Sequence, residues 1–485
     1  MNILTPSLQH GKVEQRPVDE LAIAYRMRCQ LTQDPIIRAR GAIMVTNLFA
    51  NVIDVCSMQY RGLEVGMSDG GEASAVYRRQ AWFMVGFATI GVMCSVISTV
   101  MINTGLFIRP LGAAFGWSRG DVVASLSIGA LVMAVANPFV GQLIDRLGSR
   151  RMLILSQLGF GLATAAIPWL ISTNGISGLY LGYALISILG AGSTIVGFIR
   201  LLSGWFSGPL LGSRGFALGC CSAGVPLGAA LSGPLAIYLI AKFGWAGGFH
   251  GLALIPLLIA LPISIFAVRE APLQEAARHG NVDLPGLTLR EASRTGHFWK
   301  LIALVFLISA CLQGLAIHMA PFLQDVGLPL SSVAIMTTLI AAIGIPARLV
   351  AGHLFDRFFA PRVAFVVFAL PAISTLLMAS HPVAAVAIGG SILLGIGQGA
   401  ESDLIGYLVS RYFGLRHSGR IFGTVYAAFM VGIAFGPFAS GRAHDYTHSY
   451  QLSFTLAALG LFAICALLLW LPRFPAEFER RAPEA

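Results

Sequence analysis

Runs of about 20 apolar residues recur along most of this chain, and they constrain its fold more than any other feature. The hydrocarbon core of a bilayer is about 30 Å thick, so roughly 20 helical residues are needed to cross it. In that solvent every backbone N–H and C=O group needs a partner, which a helix supplies within itself. The runs predict an all-α membrane protein with twelve transmembrane helices in two six-helix bundles. The predicted spans are 81–108, 121–143, 152–172, 176–200, 215–241, 247–268, 300–324, 331–354, 363–380, 383–410, 421–441 and 451–471.

Composition agrees with lipid as the solvent and excludes several other classes of protein. The chain is 56% hydrophobic and 11% charged, against roughly 25% charged in a soluble domain. Its net charge of +10 comes from basic residues scattered singly at the ends of apolar runs, so no nucleic-acid partner is expected. The seven cysteines have no paired spacing. Without HExxH, GxSxG or a Walker loop, the sequence predicts neither an enzyme nor an ATP-driven pump, and no cofactor or metal.

The polar segments divide the chain into five parts. Residues 1–66 are predicted to be a disordered N-terminal extension or an artefact of start-site choice, since the apolar stretch within them is short and polar and Met67 offers a second start. The N-terminal six-helix bundle is predicted at 67–268, the linker at 269–299, the C-terminal bundle at 300–472 and a tail at 473–485.

Orientation follows from the distribution of arginine and lysine over the predicted loops, because cytoplasmic loops are enriched in both. The loops on the side of the linker carry far more basic residues than those on the opposite side, which hold Arg109, Arg119, Lys242 and Arg442. The sequence therefore predicts a multi-pass protein of the cell (inner or plasma) membrane, with both termini and the linker in the cytoplasm.

The two predicted halves are related by an internal repeat of 211 positions. In that register Pro110 aligns with Pro321, and Gly116 aligns with Gly327. Four residues of a predicted loop then fall on equivalent residues of the second half: Gly141, Leu143, Asp145 and Arg146 on Gly352, Leu354, Asp356 and Arg357. Matches at the same points of two helix–loop–helix segments indicate a duplicated unit, as in transporters built from parallel repeats.

The segment "GQLIDRLGSRR" at 141–151 resembles the signature loop between helices 2 and 3 of the major facilitator superfamily, and "GHLFDRFFAPR" at 352–362 is its second copy. The resemblance covers about residues 80–472. It implies secondary transport by alternating access and gives these loops a gating role. The gating residues it implies are Gly141, Asp145, Arg146, Arg150, Gly352, Asp356 and Arg357.

A narrower resemblance is to the monocarboxylate transporters and the oxalate:formate antiporter group. It rests on "FGWSRGD" at 115–121, "RGFALGCCSAG" at 214–224, "RLVAG" at 348–352 and "SRYFG" at 410–414. In that family an arginine followed three residues later by glycine binds the substrate carboxylate, which here is Arg348. The chain departs from the family in three ways: it has Gly344 where those carriers have an acid, no lysine in the first span, and no cation in 426–437. One buried cation suits a monocarboxylate better than a compact dianion such as oxalate.

Ionisable residues inside a span cost at least ~2.5–3.5 kcal/mol and so require a reason. Arg348 lies about 12 Å from the cytoplasmic end of its helix, and Glu401 and Asp403 are predicted at a similar depth in another helix. Guanidinium offers a planar fork for a carboxylate. A carboxyl group in an apolar environment takes up a proton more readily than one in water. We expect Arg348 to bind substrate and Glu401 and Asp403 to couple a proton; structural pairing of these charges is the alternative.

Three further residues are candidate substrate ligands: Asn137, at the repeat position of Arg348, with His318 and Tyr407. His444 and His448 have a metal-like spacing without a third ligand. The sequence thus predicts a monomeric, proton-coupled secondary transporter of a small organic anion. Anion exchange, transport of drugs or sugars, and a transporter-like sensor are the alternatives.

Overall fold

The computed structural model describes residues 72–278, 284–380 and 383–475. The prediction for 1–66 and most of that for the tail therefore fall outside the described residues. The described chain is helical apart from short loops and one isolated β-bridge between Gly286 and Gly414. The all-α prediction is confirmed.

Six helices make up the first half, and we number them in chain order. The first is a broken helix, α1, made of Glu72–Met93 followed by Ile97–Phe115. The others are α2 (Arg119–Leu147), α3 (Ser149–Asn174), α4 (Ile176–Trp205), α5 (214–243) and α6 (245–266).

The second half repeats this order after a linker. Its helices are α7 (Gly296–Asp325), α8 (Leu330–Arg357), α9 (Ala360–Ser380), α10 (Ala384–Phe413), α11 (Ser418–Thr447) and α12 (Gln451–Leu469). Gly116 and Gly327, an aligned pair of the repeat, end the first helix of each half with backbone φ angles of +72° and +87°. An L side chain is strained in that left-handed conformation, so glycine is favoured there.

The number of spans follows from helix length. Ten described helices are long and apolar enough to cross a membrane, and the broken α1 adds an eleventh. One of the ten is a run of 57 residues, Leu210–Phe266. At 1.5 Å per residue it would measure about 86 Å, nearly three times the bilayer core. Its backbone leaves the helical conformation at Gly244 (φ 72°, ψ −179°), so it forms two spans, α5 and α6. The described residues therefore form twelve spans, as predicted.

Helix α1 is irregular in its middle. A π-helical turn, Ile97–Met101, is followed by a 3₁₀ segment, Ile102–Phe107. Buried hydroxyl and amide groups bond to the backbone there: Ser98 Oγ donates to Val92 O (2.7 Å), and Asn103 Nδ2 donates to Thr99 O (2.9 Å). Side-chain bonds of this kind compete with the regular helical ladder, which accounts for the break.

The halves meet where α2 crosses α11 and where α5 crosses α8. Glycines allow both crossings, because a Cβ on Gly141 would collide with the backbone of Gly419, and one on Gly352 with that of Gly215. Small residues of this kind let two helices approach closely. Both crossings lie toward the end of the molecule that carries the linker, here called the linker end; the opposite end is the distal end.

The linker contacts both halves. Its first helix, Pro272–Arg278, lies against α4, where Gln274 Nε2 donates to Arg200 O (3.0 Å). Farther on, Leu287 N donates to Phe413 O (2.9 Å) at the end of α10. A short capped helix, Leu289–Ser293, then leads into α7; Thr288 N donates to Glu291 (2.7 Å) and lowers the pKa of that carboxyl group.

Candidate functional site

Two aspartates at the linker end each cap a helix of the opposite half. Asp145 of α2 accepts hydrogen bonds from Gly419 N (3.0 Å) and Arg420 N (2.8 Å), at the start of α11. Asp356 of α8 accepts from Gly215 N (2.7 Å) and Phe216 N (2.9 Å), at the start of α5. The first turn of a helix has unpaired N–H groups and a partial positive charge, so a carboxylate is a favourable partner. These caps hold the two halves together at the linker end.

Arg200 of α4 completes the first cap, and sequence reasoning missed it. Its Nε donates to Asp145 Oδ1 at 2.6 Å, and both side chains are less than a tenth exposed. The repeat register contained the signal, since 211 positions beyond Arg200 stands Arg411 of α10. Because Arg200 falls on the predicted boundary of its span, the hydrophobic pattern does not mark it as a charge within the membrane.

Arg411 packs against residues 472–474, which follow the last span. Its guanidinium carbon is 4.7 Å from the ring centroid of Phe474, which also packs on Tyr412 (4.9 Å) and Phe359 (5.1 Å). Tyr412 Oη donates to Pro472 O at 2.6 Å. The start of the tail is therefore held against the end of α10, as the linker is held against α4.

The remaining predicted gating residues have less specific surroundings. Arg150 N donates to Glu270 Oε1 (2.8 Å), and its guanidinium donates to Ile265 O, so it joins α3 to the start of the linker. Arg146 and Arg357 are exposed at the linker end.

Arg348 lies where α8, α5 and α10 meet. Its Nη1 donates to Ser222 O of α5 (3.1 Å) and to Ser402 Oγ of α10 (3.3 Å). Nε is buried without a partner, and Nη2 makes no hydrogen bond with any described residue. The side chain is only half-buried. The guanidinium thus touches both halves and keeps unused donors.

The two acids of α10 face different neighbours, as their spacing predicts. Asp403 points toward α5, with Oδ2 beside Gly219, and accepts from Ser402 Oγ (3.3 Å). Glu401 accepts from Gln313 Nε2 of α7 (3.3 Å), and its other oxygen is buried without a partner. Among the described residues, neither acid lies within the 4.0 Å of an ion pair with Arg348. Ser402 instead links Arg348 to Asp403 through two hydrogen bonds, and Glu401 takes no part in this hydrogen-bond network.

Asn137 of α2 has no exposed surface, and its amide has no hydrogen-bond partner among the described residues. Its backbone carbonyl lies against Gly423 of α11, as that of Arg348 lies against Gly219 of α5. The two crossings are thus equivalent, with α5 and α11 related by 204 positions. This second register was not evident from the sequence.

The structure places the other predicted residues away from Arg348. His318 Nε2 is 3.0 Å from Pro437 O, and its ring packs on Tyr450 near the distal end. Tyr407 is at the linker end, where its hydroxyl donates to Phe355 O (2.8 Å). His444 stacks on Tyr450, and His448 ends α11 in a left-handed conformation (φ 51°).

Two duplicated halves of six spans, with a polar cluster between them, form an architecture that many membrane transporters share. The chain belongs to the major facilitator superfamily, whose family profile matches residues 88–400 and 360–485. The predicted superfamily is confirmed, and the protein is a multi-pass membrane transporter.

Relatives agree with the narrower resemblance. The chain is 26% identical over 394 residues to monocarboxylate transporter 13 of Bos taurus, covering 78% of this chain and 87% of that one. It is 25% identical over 422 residues to the gallate transporter of Pseudomonas putida, covering 78% and 87%. The Escherichia coli fucose:proton symporter shares the fold, with a TM-score of 0.62 at 14% identity over 80% of this chain and 98% of that one.

Proposed function

We propose that this protein carries a small organic anion of the monocarboxylate type across the cell membrane, together with a proton. The observation that carries the proposal is the environment of Arg348, a cation within a span whose Nε and Nη2 donors remain unused. A carboxylate is the group that such a planar fork binds best. Two relatives named as carriers of carboxylates support the same class of substrate.

Glu401 is the better of the two acids for carrying the proton. Asp403 is linked to Arg348 through Ser402, so its charge serves to orient and balance the guanidinium. Each acid has one buried oxygen without a partner, but Glu401 is hydrogen-bonded to the neutral Gln313, which has no contact with Arg348 among the described residues. A buried carboxyl group without a cationic partner is favoured in its protonated form. Neutralising Glu401 when the substrate binds would keep the net charge of the site low.

Alternating access requires an interface that closes at each end in turn. Asp145 and Asp356 close the linker end through the helices that they cap. If the linker end is cytoplasmic, as the basic residues of its loops favour, the closed linker end corresponds to a site reached from outside. Opening it requires both caps to separate, because each joins the two halves.

Uptake of a labelled panel of mono- and dicarboxylates and neutral sugars by proteoliposomes tests the proposal. We expect monocarboxylates to enter, and to enter faster when the outside is more acidic than the lumen. Uptake that required a second carboxylate inside, whatever the pH, would favour anion exchange. Transport of a sugar with no carboxylate moved would refute the anion assignment.

The Glu401→Gln variant should keep monocarboxylate transport but lose its dependence on the pH gradient. Glutamine preserves the size of the side chain and its contact with Gln313, and removes the group that takes up the proton. The measurement is the initial rate of uptake at equal substrate with and without an acidic exterior. Asp403→Asn is the matched variant, and we expect it to weaken substrate binding while the response to the gradient persists. A full response in Glu401→Gln would assign the proton elsewhere.

A further inference from the structure

Phe474, in the segment that follows the last span, contacts side chains of α9 and α10. Its ring lies over the guanidinium of Arg411 (4.7 Å) and against the rings of Tyr412 (4.9 Å) and Phe359 (5.1 Å). The backbone of the segment is held too, since Pro472 O accepts a hydrogen bond from the hydroxyl of Tyr412. A guanidinium within about 6 Å of a ring centroid is attracted by the face of the ring. The segment therefore restrains where the charge of Arg411 lies.

Phe474 and Arg411 also line a cleft of about 330 Å³ between the two halves at the linker end. The loop that precedes α5 contributes residues 211–212 to the opposite wall of this cleft. Asp356, which caps α5, lines the same cleft. The start of the tail thus reaches the contact that joins the halves, although the ring contacts of Phe474 are all with the second half.

The 211-residue repeat relates Arg411 to Arg200 and Asp356 to Asp145. In the first half the guanidinium of Arg200 bonds directly to the carboxylate of Asp145, at 2.6 Å. In the second half the carboxylate of Asp356 is attracted by two arginines, Arg411 of its own half and Arg214 of the other. Attraction between opposite charges away from bulk water stabilises the contact that they join. The position of Arg411 therefore matters to the cap of α5.

We propose that Phe474 is a positioning residue for transport: it holds Arg411 beside Asp356 and so stabilises the conformation in which the linker end is closed. Without the ring, the guanidinium is less restrained, the cap of α5 is weaker and the linker end opens more readily. This role concerns the closure and not the substrate, so it does not depend on the anion proposed above.

The test is the accessibility of a cysteine placed at Ser203, measured on the purified full chain without substrate. Ser203 is buried on α4, in the other half, and lines a small cavity between α4, α10 and α11, so loosening of the tail alone does not expose it. We expect a membrane-impermeant thiol reagent to label Ser203→Cys at least about threefold faster when Phe474 is leucine, since a cation–π contact is worth roughly two- to thirtyfold. Phe474→Tyr keeps a ring over the guanidinium and should stay within about twofold of the parent.

A double variant decides whether Phe474 acts through Arg411. In the Arg411→Gln background, Phe474→Leu should change the rate of labelling by less than about twofold, because the interaction is already lost. Arg473→Ala is the control, since this exposed neighbour in the tail should leave labelling unchanged.

Three results would overturn the inference: unchanged labelling in Phe474→Leu, an equal increase in Phe474→Tyr, or a full effect of Phe474→Leu in the Arg411→Gln background. The comparison of leucine with tyrosine decides the question even where Arg411→Gln does not fold. Carboxylate uptake by proteoliposomes that persists in any of these cases would leave the proposed function intact.

Discussion

Replacing Arg348 by alanine should reduce monocarboxylate uptake to the background of empty liposomes. A hydrogen bond to a charged group contributes about 1.5–3 kcal/mol, so losing a two-point contact corresponds to a fall of a hundredfold or more. Arg348→Lys keeps the charge but loses the planar fork, and we expect it to remain at least about tenfold impaired. Initial rates of uptake by purified protein, at substrate concentrations spanning the apparent affinity, measure both effects.

The matched control for the loss of positive charge is Arg442→Ala. This exposed arginine near the distal end of α11 bonds to Tyr446 (3.2 Å), away from the cluster, and its removal should leave uptake within about twofold. Size-exclusion chromatography of each variant separates a transport defect from a folding defect. Uptake by a well-folded Arg348→Ala protein at the unmodified rate would remove Arg348 from the substrate site.

Replacing Asp145 by alanine should open the linker end and slow transport by at least about tenfold. The change removes both bonds to the start of α11 and leaves Arg200 buried without its carboxylate. Breaking such a buried pair typically costs about 3–5 kcal/mol, and here that cost falls on the conformation in which the linker end is closed. The equilibrium should therefore shift toward the opposite state, and a carrier that cannot leave one state turns over slowly.

A cysteine at Ser410 reports this shift, since that residue lines the small cavity between α4, α10 and α11. We expect a membrane-impermeant thiol reagent to label Ser410→Cys at least about tenfold faster when Asp145 is alanine. The five cysteines of the described residues are buried, and the parent protein gives their background. Asp121→Ala is the control, because that exposed acid caps its own helix at the distal end. Unchanged labelling with slow transport would show that Asp145 does not control the closure.

Several features of the site could be predicted because they depend on local sequence. The aspartates that cap α5 and α11 belong to a repeated motif, and the motif marks both without reference to any partner. The depth of Arg348, Glu401 and Asp403 follows from the fixed rise of a helix. The side chains of the two acids point to different neighbours because residues two positions apart lie on different sides of a helix. The partners of Asp356, Arg348 and Glu401 could not be predicted, because they come from helices more than 50 positions away in sequence.

Other features depend on how the helices pack. Gly423 stands in an uncharged stretch that sequence reasoning passed over, and only the crossing of α11 with α2 brings it against the backbone carbonyl of Asn137. Tyr407 shares a helix with Glu401, yet the direction of its side chain carries it to the backbone of Phe355 at the linker end. The depth of each residue on a helix can be predicted from the sequence. The groups that its side chain faces are known only once the neighbouring helices are placed.

By itself, the sequence determined that this chain spans a membrane about twelve times in two related halves, because hydrophobic length and repetition are properties of the chain alone. It also determined that Arg348, Glu401 and Asp403 lie within the spans. Only the tertiary structure decided which of them meet. It joined Arg200 to Asp145, linked Arg348 to α5 and Ser402, and paired Glu401 with Gln313 instead of with Arg348. The physical reason is that the apolar residues on either side of a charged residue in the sequence determine whether it lies within a span. Its hydrogen-bond partners depend instead on the packing of helices that are distant in sequence.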